Sequence, residues 1–189
     1  MTFKQKILLL FLSGLSIQVT YSQSDIVRYP NTSDTQLGYQ FTEVNHHAAL
    51  DYIHSWKRHG IIAGIQFVNV KENYKSGAEG SPGLGLTLGY QFRLHKDPSR
   101  PLQPYITYRF LYNPSLRVSG FRTDFTIQEQ TLLLGVKRRW NSGWYTFGAI
   151  GGLATHYIVM ASIGKLPPDE TTYHYSFHLG VGYSFNRGK

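Results

Sequence analysis

Apolar and polar positions alternate with a period of two along most of this chain. The clearest run places Leu84, Leu86, Leu88, Tyr90, Phe92 and Leu94 in one row and Gly85, Thr87, Gly89, Gln91 and Arg93 in the other. The last run is as regular: Tyr173, Tyr175, Phe177, Leu179, Val181, Tyr183 and Phe185 alternate with His174, Ser176, His178, Gly180, Gly182 and Ser184. Helical faces repeat every 3.6 residues, so this spacing specifies strands. Eight such runs occur, at 36–44, 47–56, 61–71, 83–94, 102–112, 127–139, 144–157 and 173–185. Leu37, Tyr39 and Phe41 mark the first; Leu50, Tyr52 and Trp56 mark the second, where His54 interrupts the apolar row.

The connections between runs alternate in length. Those at 57–60, 95–101 and 140–143 are short; those at 72–82, 113–126 and 158–172 are longer, and the turn at Asn45-His46 is tight. Outer-membrane barrels have short periplasmic turns and longer outer loops. An even strand count also puts both chain ends on one side. The expectation is an all-β protein, an eight-stranded antiparallel up-and-down transmembrane β-barrel. Its domain layout is a signal peptide at 1–22, a flexible lead-in at 23–35 and the barrel at 36–189.

Composition decides which row faces outward. The second row holds Gly85, Gly89, Gly135, Gly148, Gly152, Gly180 and Gly182, with Thr, Gln, Ser, His and Arg between them. Glycines weaken strands on a wet face, but small residues suit the narrow lumen of eight strands. The apolar row therefore faces lipid. It carries aromatics at both ends, with Tyr112, Tyr157, Tyr173 and Tyr175 outermost and Phe92, Trp140, Tyr183 and Phe185 at the periplasmic end. Such girdles belong at lipid–water boundaries. Charged residues make up only 16% of the chain, while it has 14 Tyr and 11 Phe.

The first residues add a compartment. Lys4 and Lys6 precede an apolar run from Ile7 to Leu12, and Thr20-Tyr21-Ser22 supplies small residues at a cleavage point. This is the layout of a secretory signal, with an apolar run too short to span a bilayer. The expected localisation is the bacterial outer membrane, with cleavage after Ser22. The formal charge falls from +8 to +6 once Lys4 and Lys6 are removed. Export, and the lack of any nucleic-acid module, argue against a nucleic-acid partner. With no Cys in the chain, disulfides, thiolate metal sites and Cys nucleophiles are excluded.

On these residues the chain resembles small outer-membrane β-barrel proteins, of the OmpX/Ail type or the PorT-like type of Bacteroidota. The terminal strand Leu179 to Phe185 looks like the C-terminal signal read by barrel-insertion machinery, with residues 186–189 following it. The resemblance implies a structural or interaction role: envelope assembly, a secretion-system component, or display of surface loops. The alternatives are a narrow pore for small solutes and a lipid A-modifying enzyme. Expected partners are outer-membrane lipid and lipopolysaccharide, together with a periplasmic or envelope protein.

Candidate chemistry is confined to two places. Inward parity puts Arg109, Glu129, His174, Ser176 and His178 in the lumen, where an unpaired charge is costly; an Arg109–Glu129 pair is expected to plug it. His174-Tyr175-Ser176 is similar to the His-x-Ser element of lipid A deacylase barrels, but Phe177 stands where that family has Asn, and the parity is inward rather than toward lipid. No catalytic residue is expected. His46, His47, His54 and His59 match no zinc spacing, and neither metal nor cofactor is expected. The second place is a periplasmic basic rim of Lys57, Arg58, Lys137, Arg138 and Arg139, with Lys96, Arg100, Arg187 and Lys189 nearby, suited to lipid phosphates or a periplasmic partner.

Overall fold

The computed structural model describes residues 31–42, 45–70, 79–80, 83–97, 100–119, 123–140, 142–161 and 170–185. The expected signal peptide at 1–22 and the expected lead-in up to residue 30 lie outside them, as do Arg187 and Lys189. The strands are β1 (Thr32–Thr42), β2 (Asn45–Trp56), β3 (His59–Val70), β4 (Glu79–Gly80), β5 (Gly83–Arg93), β6 (Leu102–Ser119), β7 (Thr123–Arg139), β8 (Trp144–Ala161) and β9 (Glu170–Phe185). No helix occurs among the described residues.

Each long strand pairs antiparallel with its neighbours in sequence, and β1 pairs with β9 from Ser33↔Phe185 to Thr42↔Ser176. The eight long strands thus close an up-and-down barrel, and closure removes every sheet edge within it. The two-residue β4 pairs with β6 in the same register as β5, with Gly80↔Val118 in line with Leu86↔Tyr112.

The strands run further than the alternation of apolar residues. β1 begins at Thr32 and takes in Thr32–Thr35 from the expected lead-in. β6 continues to Ser119, β7 starts at Thr123, β8 continues to Ala161 and β9 starts at Glu170. Most of the expected loop 113–126 is therefore strand, as are residues 158–161 and 170–172 at the ends of the other. Backbone pairing continues there, through Val118↔Thr123 and Asp124↔Ala161. The β6–β7 ladder slips between Asn113 and Leu116. Pro114 lies at that slip; it has no N–H for the ladder, so the irregularity falls where no bond is lost.

The short-turn end is built by local backbone geometry. The β2–β3 hairpin turns through Lys57 and Arg58, with Lys57 in the left-handed region (φ 52°) and Trp56 paired with His59. At the β7–β8 turn Gly143 has φ 98°, where a side chain is strained, and an added Cβ would sit 2.9 Å from the Tyr183 ring. At the other end, the tight β1–β2 connection is held by the Asn45 N–H donating to Thr42 Oγ1 at 2.9 Å.

The two faces reverse the arrangement of a soluble domain. Leu37, Leu50, Ile61, Leu86, Leu88, Leu132 and Leu179 are all exposed on the outside, while Asp34, Asp51, Arg109 and Glu129 are buried within. Tyr173 and Tyr175 cap the apolar belt toward the long connections, and Trp140, Trp144 and Phe185 border it at the short turns. The side chain of Tyr157 lies outside the described residues.

Candidate functional site: the packed lumen

Glycines and large rings fill the lumen together. An added Cβ on Gly182 would lie 2.3 Å from the Tyr145 ring, one on Gly180 2.7 Å from Phe147, and one on Gly135 2.5 Å from Tyr105. The inner glycines are therefore sockets for aromatic rings from neighbouring strands. β8 carries two of those rings, Tyr145 and Phe147, facing inward. Consequently Gly148 and Gly152 face outward, where an added Cβ would meet nothing within 4 Å. The sequence reading had placed both in the inner row; the β8 apolar residues at 145, 147 and 153 occupy it instead.

Polar groups in the lumen form three layers. Nearest the short turns, Asp34 accepts from Ser184 Oγ at 2.7 Å and Arg139 Nη2 at 2.9 Å, with Lys137 Nζ at 3.5 Å. Lys137 also lies over the faces of Tyr145 (4.9 Å) and Tyr105 (5.6 Å). Arg93 donates to Thr32 Oγ1 at 3.1 Å.

The middle layer crosses the lumen. Tyr145 Oη donates to Gln36 Oε1 at 3.5 Å, Gln36 Nε2 donates to Asp51 Oδ2 at 3.0 Å, and Arg109 Nη2 lies 2.9 Å from both Asp51 oxygens. Arg109 Nη1 contacts His178 Nδ1 at 3.2 Å, and Phe147 packs edge-on against the His178 ring at 5.0 Å. Five strands are tied by this one chain of groups.

In the layer toward the long connections, Glu129 accepts from Asn45 Nδ2 at 2.8 Å and Thr155 Oγ1 at 3.4 Å, and His47 Nε2 stands 3.4 Å from it. Gln40 Nε2 donates to Ser176 Oγ at 2.9 Å.

Two sequence expectations are corrected. Arg109 and Glu129 do not pair: Glu129 lies opposite Leu111, and Arg109 opposite Thr131, while their partners come from β2 across the lumen. Both charges are buried, but each has its own counter-group. The basic rim also splits. Lys137 and Arg139 point inward to Asp34; Arg138 alone of that run points out, over the Trp140 ring at 5.9 Å. Lys57, Lys96 and Arg100 are exposed at the short-turn end, and Arg58 donates to the carbonyls of Arg93 and Leu94 at 2.9 Å. Sequence reasoning missed Asp34, Asp51 and His47 as lumen residues, although β1 and β2 parity carries that signal. Ser176 is buried and accepts from the Gln40 amide. No cluster of potential metal ligands occurs among the described residues.

These features define a class: an eight-stranded, closed antiparallel barrel with a packed polar lumen and an apolar exterior. Among solved structures it is similar to Neisserial surface protein A (TM-score 0.53, 12% identity, covering 82% of this chain and 96% of that one). It is also similar to the N-terminal β-barrel domain of Pseudomonas aeruginosa OprF (TM-score 0.56, 10% identity, covering 83% of this chain and all of that one). At these identities the likeness is one of fold. No family model and no curated protein matches the chain.

Proposed function

We propose that this chain is a bacterial outer-membrane barrel with a closed lumen, acting as a structural or interaction protein through the surfaces at its two ends. The apolar exterior supports the membrane assignment, because soluble monomers rarely expose contiguous apolar patches beyond a few hundred Å². The observation that carries the functional reading is the middle layer, in which Tyr145, Gln36, Asp51, Arg109 and His178 bond to one another across the lumen. Bonded, buried side chains that cross the lumen favour a closed barrel over a solute path or a substrate pocket. What remains for function is outside the belt. The β6–β7 ladder continues from Tyr112 to Ser119, a further ~23 Å of strand at about 3.3 Å per residue, and offers a stiff surface to a partner. The basic short-turn end suits lipid phosphate or a periplasmic protein.

The test has two parts. Fractionation and a heat-dependent gel shift should place a folded barrel in the outer membrane. In planar bilayers it should be electrically silent, and pull-down from intact envelopes should recover a partner that is lost when residues 116–125 are replaced by a short turn. Stepwise conductance of the unmodified barrel would refute the closed-lumen reading.

A further inference from the structure

The outside of the barrel has a concavity at Gly148 of β8. Gly148 lacks a side chain at a point where Leu134, Val136, Ile150, Phe177 and Leu179 stand around it, leaving a groove of about 500 Å³ whose lining is almost wholly apolar. Phe41 stacks on Phe177 at 5.4 Å and extends one wall. The groove faces away from the packed lumen, so no other part of the described chain fills it.

A charge lies at its short-turn side. Arg138 is the next outward residue after Val136 on β7, and it pairs in register with Thr146 of β8, the outward neighbour of Gly148. Strand rise puts its Cα about 7 Å from that of Val136. The guanidinium leans over the Trp140 ring at 5.9 Å, toward the water boundary, and no carboxylate among the described residues pairs with it. An apolar trough therefore continues directly into an unneutralised cation at the membrane surface.

We propose that this groove binds one anionic phospholipid of the inner leaflet, with an acyl chain over Gly148 and the phosphate at Arg138. The inference rests on the outer-membrane reading above. Hydrocarbon suits the lining, and a phosphate suits the unpaired guanidinium one outward position along β7. A second copy of the barrel would fill the groove with apolar side chains but would leave Arg138 unneutralised, since the only groups it could bring from the belt are uncharged.

The test uses the folded barrel in detergent, titrated with dimyristoyl phosphatidylglycerol and, separately, with phosphatidylcholine of the same chains, and reads adducts by native mass spectrometry. The expected result is one phosphatidylglycerol per barrel, held with about fivefold preference over phosphatidylcholine. Arg138→Gln should abolish the preference. Gly148→Leu, whose Cβ has open space within 4 Å and whose side chain would fill the groove, should abolish the adduct with both lipids. Excess inorganic phosphate should not compete; if it displaces the adduct, the site reads free phosphate and the proposal fails. It fails equally if the unmodified barrel takes up no lipid, if Gly148→Leu retains the adduct, or if that substitution only converts a dimer to a monomer. The heat-dependent gel shift separates two failures. A folded barrel without an adduct overturns this site alone; a chain that forms no barrel in detergent or vesicles overturns the membrane reading as well.

Discussion

Replacing Asp51 with Leu should strip Arg109 of its only carboxylate. The pair is fully interior, with Nη2 at 2.9 Å from both oxygens and side-chain exposures of 3% and 0%. What remains to the guanidinium is the His178 contact at 3.2 Å, and Gln36 Nε2 loses its acceptor as well. Breaking a buried pair from one side costs about 3–5 kcal/mol, because the surviving charge stays in a low-dielectric site. At about 1.4 kcal/mol per power of ten, the folded-to-unfolded ratio falls by about two to nearly four orders of magnitude. Arg109→Met should cost a comparable amount, leaving Asp51 with Gln36 alone. The double variant should regain most of the loss, since two apolar groups of similar size need no counter-charge. Urea unfolding in lipid vesicles, followed by the gel shift, measures all three. Single variants within about 0.5 kcal/mol of the parent, or a double variant no better than the worse single, would refute the plug argument.

Asp34→Asn should be similarly damaging, about 3–5 kcal/mol, because it removes the one carboxylate facing Lys137 and Arg139; a denaturation midpoint equal to the parent's would contradict that assignment. Gly180→Ala should destabilise by about 1–3 kcal/mol or more, since its Cβ would lie 2.2 Å from the Leu37 carbonyl oxygen. Gly152→Ala, facing open space, should leave unfolding unchanged, and the two titrations side by side check which glycines are sockets. Leu88→Arg, at a site 62% exposed in the belt, should cost about 2–4 kcal/mol in vesicles; an unaltered vesicle midpoint would mean that this face does not meet hydrocarbon.

Strand count and facing were legible in the sequence because the apolar row survives on seven of the eight long strands. β8 breaks the rule: its rings Tyr145 and Phe147 turn inward into sockets at Gly182 and Gly180 on β9, so its parity depends on glycines more than 30 residues away in sequence. Lys137, Arg138 and Arg139 read as one patch by adjacency, although period two alone separates the middle residue from the others. The Arg109–Glu129 pair was inferred from height along one hairpin. Their actual partners lie on β2 across the lumen, and that distance depends on ring closure, which one hairpin does not encode. The continuation of β6 and β7 past Tyr112 and Ile127 is a matter of backbone pairing, which the apolar row does not report.

The three interior layers also bear on how the barrel must form. Asp34 waits for Arg139, 105 residues later, and for Ser184, 150 residues later; Asn45 waits 84 residues for Glu129. Among the described residues, Asp51 takes its cation from β6 and Asp34 from β7, and β1 has its second neighbour only when β9 arrives. Contacts this remote in sequence make for slow folding. They also make closure self-checking, because a slip of β9 by one residue would turn Ser184 outward and take it away from Asp34. A chain delivered incomplete has neither a sealed ring nor a satisfied interior, so it should remain unfolded until its last strand is in place.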